Sequence, residues 1–379
     1  MRRYPFAGLF LIAGMLCLLA LAPTQAAAAD KPDDKKKKDK DEYEEAKFVT
    51  FDQVEIKGRF YSSAKKKQAP AVLLLTKIGA DIDQEGWDRL ALELKKEGYS
   101  VLMFDYRGHE KSKNISPEFW KMLPNRTLKG ATAAAPKDTI DYKEFPNNYF
   151  PNLVNDIMAA RLYLDRKNDA GECNSADVIV IGAEDGACLG AMWMYAEWYR
   201  YQLNSVGKPA AKPEGNDIAC AVWLSYRSQL GGTPEKGAGY VKPNPSDWFK
   251  VVGREKRVPM AFMYSEGDKA GEEFGTTWVN YIKKDGKDNG HKLTRAKAIE
   301  KADKTVGSEL LQKNLPTQDN IIAYLNKVMG ERTESTWTPR EVDKSAYVWA
   351  FPGTGIRPPV AKVEKQKEFN RLPIEYLVK

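Results

Sequence analysis

The chain has 379 residues, 42% hydrophobic and 29% charged, with a formal net charge of +7. That is the balance of a globular protein long enough for one large α/β domain or two smaller ones, and it excludes a wholly disordered chain. The positive excess is modest and spread along the sequence, which argues against a nucleic-acid binder with its concentrated basic patch.

Residues 1–29 read as an export signal. Arg2 and Arg3 supply the positive start, an apolar stretch runs from Phe6 to Ala22, and Ala26 to Ala29 offer cleavage sites. The apolar run is short for a membrane span, so the expected location is the periplasm, the cell envelope or the medium, with no stable span after cleavage. Cys17 follows Leu16 rather than a small residue, which makes it a poor acylation site. Cys173, Cys188 and Cys220 then remain, too few for a disulfide scaffold and odd in number. Cys188 and Cys220 fall in apolar elements and are expected as buried free thiols.

Residues 30–46 hold eight acids and six lysines without an apolar run, as a solvated tether does. Residues 48–51 and 54–61 then predict a strand hairpin. Ala71–Leu75 is a continuous apolar run, as a strand buried on both faces requires. Trp87, Leu90 and Leu94 space a helix that ends at Gly98. Val101–Phe104 is a second buried strand, and 153–164 is helical. Val178–Ile181 is a strand followed by Gly182 and a helix to about Tyr201. Two more strands fall at 219–224 and 260–264, a helix at 276–283, a last strand at 293–299, and one or two helices between 308 and 328. Alternation of short apolar strands with helices predicts a mainly parallel sheet flanked by helices, in a domain spanning 47–330.

Residues 111–150 break this rhythm. The segment carries Pro117, Pro124, Pro136 and Pro146 and is too long for a plain connection, so it is expected to cap one end of the sheet. The aromatic, proline-bearing residues 331–379 are expected to pack back as an extended tail.

Three stretches together resemble the α/β-hydrolase superfamily, in particular its dienelactone-hydrolase-like and peptidase-like members. They are Phe104-Asp105-Tyr106-Arg107-Gly108-His109 after the fourth strand, Gly182-Ala183-Glu184-Asp185-Gly186 at the nucleophile elbow, and Ser265-Glu266-Gly267-Asp268 at the turn carrying the acid. The resemblance spans about residues 48–330, with the tether, the insertion and the tail outside it, and implies an α/β-hydrolase fold, to which the segment 111–150 adds the expected cap.

It also implies a degenerate site. The elbow pattern is Gly-x-Ser-x-Gly, and here Glu184 takes the serine position between Gly182 and Gly186. A glutamate cannot supply the alkoxide of acyl transfer. Were it to attack as a carboxylate, its extra methylene would misplace the oxygen by about an ångström, a cost of ~100-fold. A shifted register would centre Asp185 instead, at the expense of the turn glycine. Asp268 fits the acid position. The base should follow the last strand, near residues 301–306, where no histidine occurs. His291 precedes that strand, and His109 sits at the right end of the sheet in a turn position that the family uses structurally.

The expected activity is therefore a binding or structural role, toward a small molecule or a cell-envelope component, with serine-hydrolase catalysis lost. The alternative is a hydrolase with Asp185 or Glu184 as carboxylate nucleophile together with Asp268, or one that uses Asp268 and His109 in an unfamiliar arrangement. Lys77, after the first buried strand, or Lys304 is expected to pair with Glu184. No cofactor is expected, and the histidines and cysteines lack metal-ligand spacing. The aromatics of the helix after the elbow, among them Trp193, Tyr195 and Trp198, are expected to be core fillers.

Overall fold

The computed structural model describes residues 42–83, 85–130, 136–204, 214–231, 241–284, 290–333, 336–340, 346–350 and 369–373. The signal segment and most of the tether lie outside the described residues.

One eight-stranded sheet organises the chain. Its strands are β1 Glu44–Val49, β2 Glu55–Tyr61, β3 Pro70–Leu75, β4 Ser100–Phe104, β5 Asn174–Ala183, β6 Ile218–Leu224, β7 Met260–Ser265 and β8 Arg295–Ile299, in the order β1-β2-β4-β3-β5-β6-β7-β8. β2 runs antiparallel to β1 and β4, and the pairs from β4 through β8 are parallel. The longer α-helices among the described residues are α1 Glu85–Glu97, α2 Val154–Asp169, α3 Glu184–Asn204, α4 Lys269–Ile282 and α5 Thr317–Glu331.

Alternation along the strands explains why the central runs are apolar throughout. Ala71, Leu73 and Leu75 of β3 enter the core that holds α2 and α3, while Val72 and Leu74 enter the core that holds α1 and α5. Each fully buried leucine contributes about 1.5–3 kcal/mol relative to exposure. β1 starts earlier than the apolar pattern suggests. Ala46 and Phe48 point inward while Glu45, Lys47 and Val49 stay exposed, so the strand reaches into the charged stretch assigned to the tether. Trp193, Tyr195 and Trp198 of α3 are buried, as core fillers should be.

Pairing in register brings the strand ends level. Leu75 pairs with Gly182, Ala183 with Leu224, Leu224 with Met263, and Ser265 with Ile299. The loops after these residues therefore meet at one end of the sheet, where parallel α/β sheets build their sites.

The inserted segment is held there by Arg107, which is fully buried. Its guanidinium donates to Asp52 Oδ2 at 2.6 Å, to Asp156 Oδ1 at 2.8 Å and to the Tyr149 hydroxyl at 3.0 Å. Asn125 Nδ2 donates to the same Asp52 oxygen at 3.0 Å and Asn125 Oδ1 accepts from Tyr149 at 2.7 Å. One cation thus ties the β1–β2 turn, the insertion and α2 together. In the tail, Trp337 Nε1 donates to the Asn168 carbonyl and Arg340 pairs with Asp217 at 2.8 Å, which straps residues 336–340 across the far end of the molecule. Residues Ala346–Ala350 and Phe369–Pro373 pair as two parallel strands.

Candidate active site with a glutamate at the elbow

The turn from β5 into α3 puts Glu184 at its apex with φ of 50°, a left-handed conformation that costs an L-residue about 1–3 kcal/mol. The flanking glycines make this turn possible. A Cβ on Gly182 would stand 2.7 Å from Ala187 Cα, and one on Gly186 would run into the Thr76 carbonyl. The backbone thus fixes the register: Glu184, not Asp185, is presented. Ser225, Lys301 and Asp303 also have positive φ, in loops at this same end. Concentrated strain of that kind marks a site whose backbone is held by its surroundings.

The Glu184 carboxylate ion-pairs with Lys77, Nζ to Oε1 at 3.3 Å, with the side chains 42% and 21% exposed. At that exposure the pair contributes about 0–1 kcal/mol. Of the two lysines expected there, the pairing falls to Lys77. Lys304 lies beside Gly267, in the turn that carries Asp268.

Gly307, with φ of 61°, follows the loop after β8, and its missing side chain would point straight into the Glu184 carboxylate. The loop after β8 thus packs a glycine against the elbow residue, and its residues 301–306 hold no histidine. Nothing in the spacing of residues 301–306 announces this. The signal available was the first glycine beyond that stretch.

Asp185 is 8% exposed and accepts the Ile78 N–H at 2.8 Å. Burial pushes its carboxyl up to about 7, with Glu184 adding to the rise. A working elbow takes one oxyanion donor from the loop after β3. In this chain the Ile78 donor of that loop is already spent on Asp185.

Asp268 is the N-cap of α4: Oδ1 accepts from Gly271 N at 3.0 Å and from Arg227 Nη2 at 2.7 Å. Burial works to raise its pKa, but the Gly271 N–H and Arg227 outweigh it and hold the carboxyl low. Arg227 was not foreseen. It lies just after β6, and its own N–H donates to the Glu184 carbonyl at 3.2 Å. The carboxylate that would orient a base instead faces a guanidinium.

His109 uses both ring nitrogens on backbone. Nε2 accepts from Gly79 N at 2.9 Å and Nδ1 lies 3.0 Å from the Arg107 carbonyl, which assigns the proton to Nδ1. The ring stacks on Tyr142 of the insertion at 4.0 Å. Burial lowers its pKa to about 4, so the imidazole stays neutral and pins the loop after β3. His291 lies at the opposite end of the sheet, beside Pro259 and Val328. Cys173, Cys188 and Cys220 are buried and unbridged. Among the described residues no cluster of histidine, cysteine and acidic side chains has the arrangement of a metal site, and no helix is long and apolar enough to cross a membrane.

No family model and no curated protein matches this sequence. Solved structures do. The Pyrococcus furiosus esterase Pf2001 superposes with a TM-score of 0.50 at 16% identity, over 76% of this chain and 91% of that one. Est1E from Butyrivibrio proteoclasticus gives 0.47 at 8% identity, over 76% and 99%. The carboxylesterase EstE1 from a metagenomic library gives 0.46 at 15%, over 76% and 88%. The strand order together with the Pf2001 likeness defines the class: this chain has the α/β-hydrolase fold.

Proposed function

We propose that this protein is an exported member of that fold class in which serine-hydrolase chemistry has been replaced by a binding or structural role. The observation that carries the reading is Glu184 at the strained apex, paired with Lys77 and packed on Gly307. Acyl transfer needs an activated nucleophile with a base in hydrogen-bond reach. The apex offers a carboxylate, residues 301–306 offer no histidine, the acid-position aspartate is held by Arg227, and His109 has no free nitrogen. Fold alone supports neither activity nor its loss, so the argument rests on these residues.

The rival, a hydrolase attacking through a carboxylate, draws less support. Asp185 is buried, largely occupied by Ile78 N–H and close to half protonated at neutral pH. Glu184 is engaged by a cation and has no base beside it to activate water for the second step.

The purified protein should neither label with a fluorophosphonate nor turn over short acyl esters. Labelling, or turnover that disappears in Glu184→Ala or Asp268→Asn, overturns the reading. Export rests on residues 1–29. Fractionation of cells expressing the full chain should recover a processed form outside the cytoplasm, and an unprocessed cytoplasmic product refutes export.

A further inference from the structure

We propose that the flank formed by the π-helix Phe249–Glu255, the end of α4 and the start of β8 is a docking surface for an anionic phospholipid bilayer. Averaged over the chain the positive excess looks diffuse, but it is not uniform. Residues 249–257 and 283–299 together carry ten Lys or Arg and three acids, an excess of seven, while the whole chain carries 59 against 52. These two segments therefore hold the entire formal excess, and the rest of the chain is balanced.

The two segments meet at the end of the sheet opposite Glu184. Arg254 Nη2 donates to the Lys284 carbonyl at 3.5 Å, and Lys283 Nζ donates to the Lys292 carbonyl at 3.3 Å. A neutral carbonyl leaves the charge of its donor uncompensated. Burial together with the charges of Arg257, Lys292 and Lys283 lowers the pKa of His291, so cations from both segments face that one ring, opposed by Glu331. Glu331 takes Lys292 at 3.1 Å, but the lysine side chain is 66% exposed, and a pair so well solvated holds its cation weakly. Lys250, Lys256, Arg257 and Lys284 are exposed as well.

Charge alone would suit any polyanion, and the residues among the cations select a bilayer. The π-helix, a conformation kept mostly at functional sites, turns Phe249 and Val252 into the core and leaves Val251 and Arg254 partly exposed beside Lys250. Against it α4 presents Trp278 and Tyr281, both partly exposed, with ring centroids 5.2 Å apart. Phe249 lies 5.0 Å from Trp278, and the Arg254 guanidinium lies 6.0 Å from the Tyr281 ring. Trp and Tyr set among Lys and Arg are the side chains that settle at headgroup level, rings toward the acyl boundary and cations toward phosphate. A polyanionic chain has no use for Val251 and Val279, which stay partly exposed in the same flank. The elbow takes no part in this surface, so the two readings fail separately.

The test is sedimentation of the full chain with vesicles of phosphatidylcholine, alone or with about 30% phosphatidylglycerol. Binding to the anionic vesicles should be about tenfold stronger or more at low salt, and the difference should vanish near ~0.5 M salt. Lys283→Glu with Lys284→Glu should remove most of that preference. Lys66→Glu with Lys313→Glu makes the same change of net charge at exposed lysines outside the flank and should leave it nearly intact. Residues 1–29 are common to all variants, so their own contribution cancels. Quenching of tryptophan fluorescence by lipid brominated in its acyl chains should fall in Trp278→Phe, a readout that stands if the glutamates unsettle the end of α4. Equal binding to both vesicles, equal loss in the two double variants, or quenching unchanged in Trp278→Phe refutes the proposal. So does binding to heparin or DNA without binding to vesicles, which would mark a site for a polyanionic chain.

Discussion

Gly307 is packed against the side chain of Glu184 so closely that a single added carbon would collide with its carboxylate. The elbow residue and the loop after β8 are thus fitted to each other. Gly307→Ala should destabilise the protein twice over, through the φ of 61° and through the collision. The backbone part alone is worth about 1–2 kcal/mol. In a Glu184→Ser background the collision disappears and the backbone cost remains. A denaturation cycle over the two positions should show a favourable coupling on the order of 1 kcal/mol. Additive effects would mean that the two side chains do not share that space.

Glu184→Ser restores the pattern Gly-x-Ser-x-Gly without restoring a triad. Serine at the apex has no imidazole to take its proton, and Asp268 remains on Arg227. The variant should fold, because the lost Lys77 pair is partly exposed and worth about 0–1 kcal/mol. Fluorophosphonate labelling of it should stay at background. Rapid labelling would show that a base not identified among these residues is within reach.

Arg107 is the single cation shared by Asp52 and Asp156, all three fully buried. Removing it leaves two carboxylates without compensation in the interior. Arg107→Ala should cost about 3–5 kcal/mol, and Arg107→Lys should rescue little because one ammonium cannot reproduce the fork. Limited proteolysis should then cut within 111–150 first, since Asn125 and Tyr149 lose their anchor in the same step. Equal protection of that segment in variant and wild type would contradict its tethering through Arg107.

The core strands were legible because parallel strands buried on both faces must be apolar throughout, and the elbow was legible because two glycines bracket the turn. What failed to show has physical reasons. α4 begins at Lys269, seven residues before the predicted start, because Asp268 reads as a catalytic-type acid when it is also the helix cap. Arg227 reaches Asp268 from another strand's loop, a contact that no local pattern encodes. The pairing of Glu184 with a cation could be anticipated from charge alone, yet the choice of Lys77 over Lys304 depended on tertiary position.

Asp185 gives the protein a pH dependence of defined sign. Its carboxyl titrates at about 7 in the fold and near 3.8 when exposed, so between these values the native state holds a proton that the unfolded chain has released. Its contribution to stability is present below pH 3.8 and is lost as pH rises through 7. His109 acts oppositely. With a folded value of about 4 against 6.5, it weakens the fold as pH falls through that interval. The two terms oppose each other between pH 4 and 6.5, which leaves Asp185 dominant from about 6.5 to 8. Asp185→Asn keeps an oxygen to accept from Ile78 and removes the charge. The variant should therefore gain stability over wild type at pH 8, by an amount on the order of a few kcal/mol, and the gain should shrink toward pH 5. Urea denaturation of both proteins at pH 5, 6.5 and 8 measures it. A gain that is equal at all three values, or a loss at pH 8, would show that Asp185 is charged and well solvated in the fold.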